Sequence, residues 1–241
     1  MLMPEKKSDL KARGELYVVA TPLGNLEDMS LRALRILRNV SAIACEDTRQ
    51  TIKILNKYKI KTKLISYFHP KEQQKIPKLL SFLLQGKDIA LVSDAGTPGI
   101  SDPGYPLIKE ALARGIKVVP IPGPSAITAA LSASGLPTQK FHFLSFPSPK
   151  KHAMKKILDT AKNERETLVF YIPARKVPQF LQLIRETLGE RQIVVARELT
   201  KLHEEFLRGT PSELLFETEK REIKGEVTLL IEGKPKKRSQ P

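Results

Sequence analysis

Five short apolar runs, each followed by a stretch of helical periodicity, constrain the first half of this 241-residue chain more than any other feature. They are Leu16-Tyr17-Val18-Val19-Ala20, Ala42-Ile43-Ala44-Cys45, Leu64-Ile65-Ser66-Tyr67, Ile89-Ala90-Leu91-Val92 and Val118-Val119-Pro120-Ile121. Runs this short and this continuous read as strands buried on both faces. The intervening patterns supply crossover helices. Leu31, Leu34, Ile36 and Leu37 lie on one repeat behind Ser30 as N-cap, and Ile52, Ile54 and Leu55 on the next. Lys71 to Leu84 is a third helix, with Pro77 as a kink or late start, and Tyr105 to Ala113 a fourth, closed by Gly115. A helix of small residues ends at Ser134. Strand–loop–helix repetition of this kind predicts an α/β fold with a parallel, doubly wound sheet.

The pattern changes near Gly135-Leu136-Pro137-Thr138. Residues 141–146, 168–171, 193–196 and 227–231 read as strands, with helices at Val177–Leu188 and Pro211–Phe216 among those that fit between. The expected organisation is a flexible start (1–13), an N-terminal α/β domain (14–137), a second α/β domain with a mixed sheet (138–233) and a basic tail (234–241).

The loops carry the functional signal. Ser93-Asp94-Ala95-Gly96-Thr97-Pro98-Gly99-Ile100-Ser101-Asp102-Pro103-Gly104 follows the fourth strand and is longer than a simple strand-to-helix turn. Segments 21–25 and 122–126 follow the first and fifth strands. A parallel sheet gathers all three at one edge, where open α/β sheets bind ligands. Their small side chains leave backbone groups accessible to a flat, polar ligand such as an adenine nucleoside. No Gly-Lys-Ser/Thr follows a glycine run, and no Gly-x-Gly-x-x-Gly follows the first strand. Their absence argues against a P-loop NTPase and a nicotinamide dinucleotide site and points to a ligand without a pyrophosphate.

Formal charge narrows the partner. The chain has 41 Lys+Arg against 26 Asp+Glu, net +15. The excess is spread out: 21 basic and 12 acidic residues in 1–140, 20 and 14 in 141–241. A polyanion, most simply nucleic acid, fits such a balance, although a basic surface also serves solubility. Lys53, Lys57, Lys59, Lys61 and Lys63 form the best patch of the first half, and Lys53 and Lys57 share a helix face. A solvated helix face explains them equally well. Lys234, Lys236, Lys237 and Arg238 form a second cluster in the tail. No apolar run reaches the roughly 18 residues of a membrane span. The lone Cys45 excludes an internal disulfide and a Cys-rich zinc site, and four scattered histidines make no metal motif. His203-Glu204-Glu205 in particular has no second His after it. An intracellular, cytoplasmic protein without membrane attachment or metal is expected.

Ala20 to Leu26, Cys45-Glu46-Asp47-Thr48-Arg49 and the 93–104 loop, with Ile121 to Ala126 and Arg197 to Glu205, resemble the tetrapyrrole methylase superfamily. Within it they resemble the ribosomal RNA small subunit methyltransferase I family. The resemblance spans roughly residues 14–233. It implies two α/β domains with a cleft between them, S-adenosyl-L-methionine as methyl donor, and transfer to the ribose 2′-oxygen of a cytidine in the decoding region of 16S ribosomal RNA. It also implies 16S rRNA or the 30S subunit as partner and a homodimer. Some members carry a further C-terminal helical region, whereas this chain ends soon after Gly233.

By motif position, the resemblance assigns the donor to Pro22, Leu23, Gly24, Asp94, Ala95, Gly96, Thr97, Ile100, Pro124, Ser125 and Ala126, and to Ala174, Glu198 and Gly225 in the second domain. Asp94 is placed to bond the donor's ammonium or ribose hydroxyls, while Asp102 reads as a turn or helix-cap residue. A ribose hydroxyl attacks a sulfonium methyl only once its proton is taken. Glu46 or Asp47 is the candidate for that step and Arg49 for a phosphate; acidic residues at a helix start also explain the pair without function. His69 is a candidate for acceptor contact. Tyr67 and Phe68 read as a base-stacking pair or as core. Two other readings remain: a methylase of the same fold acting on a tetrapyrrole or other small metabolite, and a non-catalytic RNA-binding protein.

Overall fold

The computed structural model of the chain describes residues 13–235, Pro149 excepted. Most of the expected flexible start and basic tail, including Lys236, Lys237 and Arg238, lies outside the described residues. The chain divides into two compact units, Met1–Ser125 and Ala126–Pro241.

The first unit contains β1 (Leu16–Val19), β2 (Ala42–Cys45), β3 (Leu64–Ser66), β4 (Ile89–Val92) and β5 (Val118–Ile121). They form one sheet in the order β3-β2-β4-β1-β5, every neighbouring pair parallel. Helices α1 (Leu31–Asn39), α2 (Thr48–Lys57), α3 (Glu72–Leu84) and α4 (Tyr105–Ala113) connect them. Side chains alternate between the two faces of a strand, so each strand feeds two cores. Ile43, Cys45, Ala90 and Val92 pack with Leu34 and Leu37 of α1 and Ile54 and Leu55 of α2. Ala42, Ala44, Ile89 and Leu91 pack with Leu79 and Leu83 of α3 and Leu107 and Ala111 of α4. Both faces are covered, which is why the strands read as continuous apolar runs. The chain leaves β1 towards β2 and leaves β4 towards β5, in opposite directions along the sheet. The reversal falls between β1 and β4, the place where such sheets hold ligands.

The second unit contains α5 (Ala126–Ser134), β6 (Phe141–Phe143), α6 (Lys151–Thr160), β7 (Thr167–Pro173), α7 (Val177–Leu188), β8 (Ile193–Arg197), β9 (Glu205–Gly209), α8 (Pro211–Lys220) and β10 (Glu226–Ile231). Its sheet runs β6-β7-β10-β8-β9, with β6 and β7 parallel and the remaining pairs antiparallel. Leu168, Phe170 and Ile172 of β7 enter a core with Met154 and Leu158 of α6 and Phe180, Leu181 and Ile184 of α7.

Three features differ from the sequence expectations. Helix α5 packs against β10 and β8, and Arg208 binds its last carbonyls, Ala133 at 2.6 Å and Ser134 at 3.2 Å. A cation on a helix C-terminus satisfies groups that lack an intrahelical partner. The division therefore falls before α5 rather than near residues 135–140. Strand β9 went unread because Glu205-Phe206-Leu207-Arg208-Gly209 is a polar edge strand with no clean alternation. Tyr67 is fully buried beneath α3, so it is core and not a stacking surface.

Candidate active site

The loops after β1, β2, β4 and β5 leave the same edge of the parallel sheet, and hydrogen bonds tie them together. Thr21 and Gly96 form an isolated antiparallel bridge: the Thr21 N–H donates to the Gly96 carbonyl at 2.8 Å, and the Gly96 N–H returns to Thr21 at 2.9 Å. The Thr21 hydroxyl, 1% exposed, also donates to the Ser93 carbonyl at 3.0 Å. The Thr97 hydroxyl donates to the Pro124 carbonyl at 3.4 Å. The Asp47 N–H donates to Asp94 Oδ1 at 3.0 Å. One segment, 93–97, thus contacts all three neighbouring loops.

Gly96 has φ +84°, a conformation that side chains resist. A Cβ there would point between Leu23 Cδ2 at 3.6 Å and the Pro124 carbonyl at 4.0 Å. The loops that carry Pro22, Leu23, Gly24, Asp94, Ala95, Gly96, Thr97, Pro124 and Ser125 are therefore tied together. Ile100 follows in the same loop and is half-exposed.

Acidic groups crowd this edge. Glu46 follows β2 directly, and burial pushes its carboxyl up to about 7, with Asp94, Asp102 and Asp47 pushing the same way and His69 opposing them. Burial raises Asp102 to about 6, against a hydrogen bond from Ser93. Asp94 is also raised by burial, although the Asp47 N–H favours its charged form. Asp102 is not the cap of α4; Gly104 occupies that position. It belongs instead to this group of carboxylates. No sequence pattern marks it as such, because its burial comes from folding of the 93–104 loop.

Asp47 behaves oppositely. It caps α2, accepting from the Arg49 N–H at 2.8 Å. The Arg49 guanidinium grips both carboxylate oxygens, Nε at 3.0 Å from each and Nη2 at 2.6 Å from Oδ2. That pairing holds Asp47 down at about 2. Arg49 itself is 87% exposed. Lys53 and Lys57 lie on the solvent side of α2, opposite Ile54 and Leu55, and His69 is exposed after β3.

In the second unit, Ala174, Glu198 and Gly225 meet at one edge of the sheet. Ala174 follows Pro173, which pairs with Glu226; Glu198 follows Arg197, which pairs with Val227. Glu198 Oε1 accepts from the Glu226 N–H at 2.9 Å and from Lys201 Nζ at 3.0 Å. Burial disfavours its charge, but these donors hold its carboxyl below the ordinary range. Gly225 has φ +91°, and any Cβ there would collide with the Glu198 carboxylate. Arg197 is engaged by the carbonyls of Lys224 and His203 and by Glu205. His203-Glu204-Glu205 makes a turn and the start of β9. Ala126 begins α5. Among the described residues, His142, Glu164 and Glu166 bring three metal-ligating atoms within 4.8 Å of one another, all at least partly exposed.

Thr21 and Ser93, the buried pins of the loops, were not singled out from the sequence. Their signal is positional: each is a hydroxyl residue at the end of an otherwise apolar strand.

The family model of the tetrapyrrole (corrin/porphyrin) methylases matches residues 15–215. The ribosomal RNA small subunit methyltransferase I of Halalkalibacterium halodurans is 46% identical over 93% of this chain and 78% of its own length. The chain belongs to the ribosomal RNA small subunit methyltransferase I family of tetrapyrrole methylases. The member from Thermotoga maritima is 44% identical over 92% of this chain and is itself 99% covered. Among solved structures, the methyltransferase CobJ superposes with a TM-score of 0.70 at 18% identity, covering 94% of this chain and 97% of its own. The uroporphyrin-III-C-methyltransferase of Thermus thermophilus gives 0.63 at 20%, covering 91% and 94%. At such identity these two structures establish the shared fold. No helix among the described residues is long and apolar enough to cross a membrane.

Proposed function

We propose that this chain transfers a methyl group from S-adenosyl-L-methionine to the ribose 2′-oxygen of a cytidine in the decoding region of 16S ribosomal RNA. The observation that carries the reading is the 93–97 segment, which gathers the loops of a methylase family at the sheet's switch point. The residues fit the donor. Gly96 keeps open a space that a Cβ would narrow, and the flanking groups are backbone amides and carboxylates rather than a phosphate cradle. A cationic sulfonium with an ammonium group suits that set; a pyrophosphate does not. When bound, the donor supplies an electrophilic methyl carbon for in-line attack.

In this reading Pro22, Leu23, Gly24, Asp94, Ala95, Gly96, Thr97, Ile100, Pro124 and Ser125 position the donor. Ala126, Ala174, Glu198 and Gly225 are assigned to it by the resemblance. Glu46 takes the proton of the 2′-hydroxyl. Its carboxyl at about 7 is half ionised near neutrality, the range in which a general base accepts a proton and still drives the reaction. Asp47, at about 2, is a poor base and acts by fixing Arg49. Arg49, exposed and charged, holds a phosphate beside the target. Lys53, Lys57 and His69 extend that contact. A cytoplasmic homodimer working on the 30S subunit completes the reading.

The test is transfer of labelled methyl from S-adenosylmethionine to 30S subunits, followed by nucleoside analysis of the product. Label on a cytidine ribose oxygen supports the assignment. Label accepted by a tetrapyrrole, and none by the subunit, selects the metabolite reading of the same fold.

A further inference from the structure

The segment joining β6 to α6 carries an aromatic group that the proposed chemistry leaves unused. The rings of Phe143 and Phe146 both pack on Tyr171, with centroids 5.0 and 5.2 Å away and planes inclined by 67° and 53°. Phe146 nevertheless remains 58% exposed. Phe141, which alternates onto the same face of the edge strand as Phe143, is 41% exposed. The backbone holds this arrangement. The Leu144 N–H donates to the Val169 carbonyl at 2.9 Å, and the Tyr171 N–H donates to the Ser145 carbonyl at 3.0 Å, so the segment runs on beside β7. Phe146 comes immediately after.

Cations follow the rings closely in the chain. Lys150, Lys151, Lys155 and Lys156 are all exposed, and the first turn of α6 has no acidic residue. Lys151 lies five positions after Phe146, a span of at most about 18 Å. Tyr171 lies on the face of β7 opposite the core that α6 enters, and the short connection keeps the start of α6 within that span of Phe146. Beyond Tyr171, β7 ends at Pro173, at the same edge of the sheet as Glu198 and Gly225.

An open aromatic face with a cluster of charge a few residues away marks an interaction site. The charge selects the partner. Lysine is depleted at protein–protein interfaces, whereas unpaired bases stack on aromatic rings while their phosphates take lysine. We infer that Phe146, backed by Tyr171, is a stacking platform for an unpaired base of the RNA, and that Lys151 and Lys155 hold phosphates of the same strand. The inference rests on the RNA substrate named above and adds where its single strand is held.

The full chain is titrated with a fluorescein-labelled, pyrimidine-rich single-stranded RNA of about ten nucleotides. Phe146→Ala is expected to weaken binding by about tenfold or more, and Phe146→Trp to restore it. Lys151→Gln/Lys155→Gln is expected to flatten the log–log salt slope by about 1.4. KM for 30S subunits rises in Phe146→Ala, while calorimetric uptake of S-adenosylmethionine stays at the wild-type level. Phe146→Ala binding the oligonucleotide as tightly as wild type overturns the inference. So does loss of self-association in sedimentation with unchanged RNA affinity, which gives the face to a second copy of the chain. RNA binding is read apart from methyl transfer. Wild-type protein that binds through Phe146 yet methylates nothing keeps the platform and removes the proposed activity.

Discussion

Thr21 and Gly96 exchange two backbone hydrogen bonds, at 2.8 and 2.9 Å, across a sheet whose named strands are all parallel. This antiparallel bridge locks the loop after β1 to the loop after β4, on either side of the switch point. Two residues 75 positions apart thereby join two of the loops proposed to hold the donor.

The bridge is open to direct test. Gly96→Ala forces a side chain into φ +84° and into the space between Leu23 and Pro124. It is expected to cost about 1–2 kcal/mol of stability and to weaken S-adenosylmethionine binding by more than about tenfold. Thr21→Val keeps the shape but removes the donor to the Ser93 carbonyl, costing about 1–3 kcal/mol. Thermal melts and calorimetry measure both. Wild-type donor affinity in Gly96→Ala would place the ligand elsewhere.

In the proposed mechanism Glu46 governs the pH dependence. Burial pushes its carboxyl up to about 7 in the folded chain, against an unfolded value of about 4.3. As a base it works only when ionised, so kcat is expected to rise with pH through a limb near 7. Glu46→Gln should abolish that limb and lower kcat by about 10²–10⁴. Stability moves the other way. Between the two values the folded chain binds more protons than the unfolded one, so wild-type stability falls as pH rises through this window. Glu46→Gln escapes that loss and should be more stable at pH 8 by roughly 1 kcal/mol, after allowance for partial solvation, with no gain below pH 4. A pH limb that survives in Glu46→Gln assigns the proton to another group.

Asp47 separates positioning from proton transfer. Asn at this position keeps an acceptor for the α2 cap but frees the Arg49 guanidinium. Asp47→Asn is expected to retain the pH limb near 7, to lose less turnover than Glu46→Gln, and to raise KM for the subunit. Loss of the limb in Asp47→Asn with its retention in Glu46→Gln would reverse the two roles.

The solvent face of α2 carries the phosphate prediction. Lys53→Glu/Lys57→Glu should weaken RNA binding and reduce its log–log salt slope by about 1.4, leaving donor uptake intact. An unchanged slope makes these lysines an ordinary solvated face.

Legibility differed between residues for physical reasons. The five buried strands and the loops after them could be read because continuous apolar runs and clustered glycine and proline are local signals. Glu46 and Asp47 could not be told apart, since adjacent acids at a helix start look alike. Their difference, about 7 against about 2, has separate causes: burial, with Asp94 and Asp102 close by, raises one, and the Arg49 guanidinium two residues on grips the other. Tyr67 reads from the sequence as platform or core, and its burial with the side chains of α3 makes it core. The ring that is exposed, Phe146, sits in a segment that reads in sequence as the end of an alternating strand.

By itself the sequence determined the alternation of strands and helices, the edge where the small-residue loops collect and the family they belong to, because periodicity and turn chemistry are written in neighbouring residues. Only the tertiary structure decided which carboxyl is dehydrated, that Asp102 joins it, that α5 belongs with the second sheet and that Phe146 stands open on Tyr171. Burial, charge proximity and ring contact depend on residues far apart in the chain, and no local pattern encodes them.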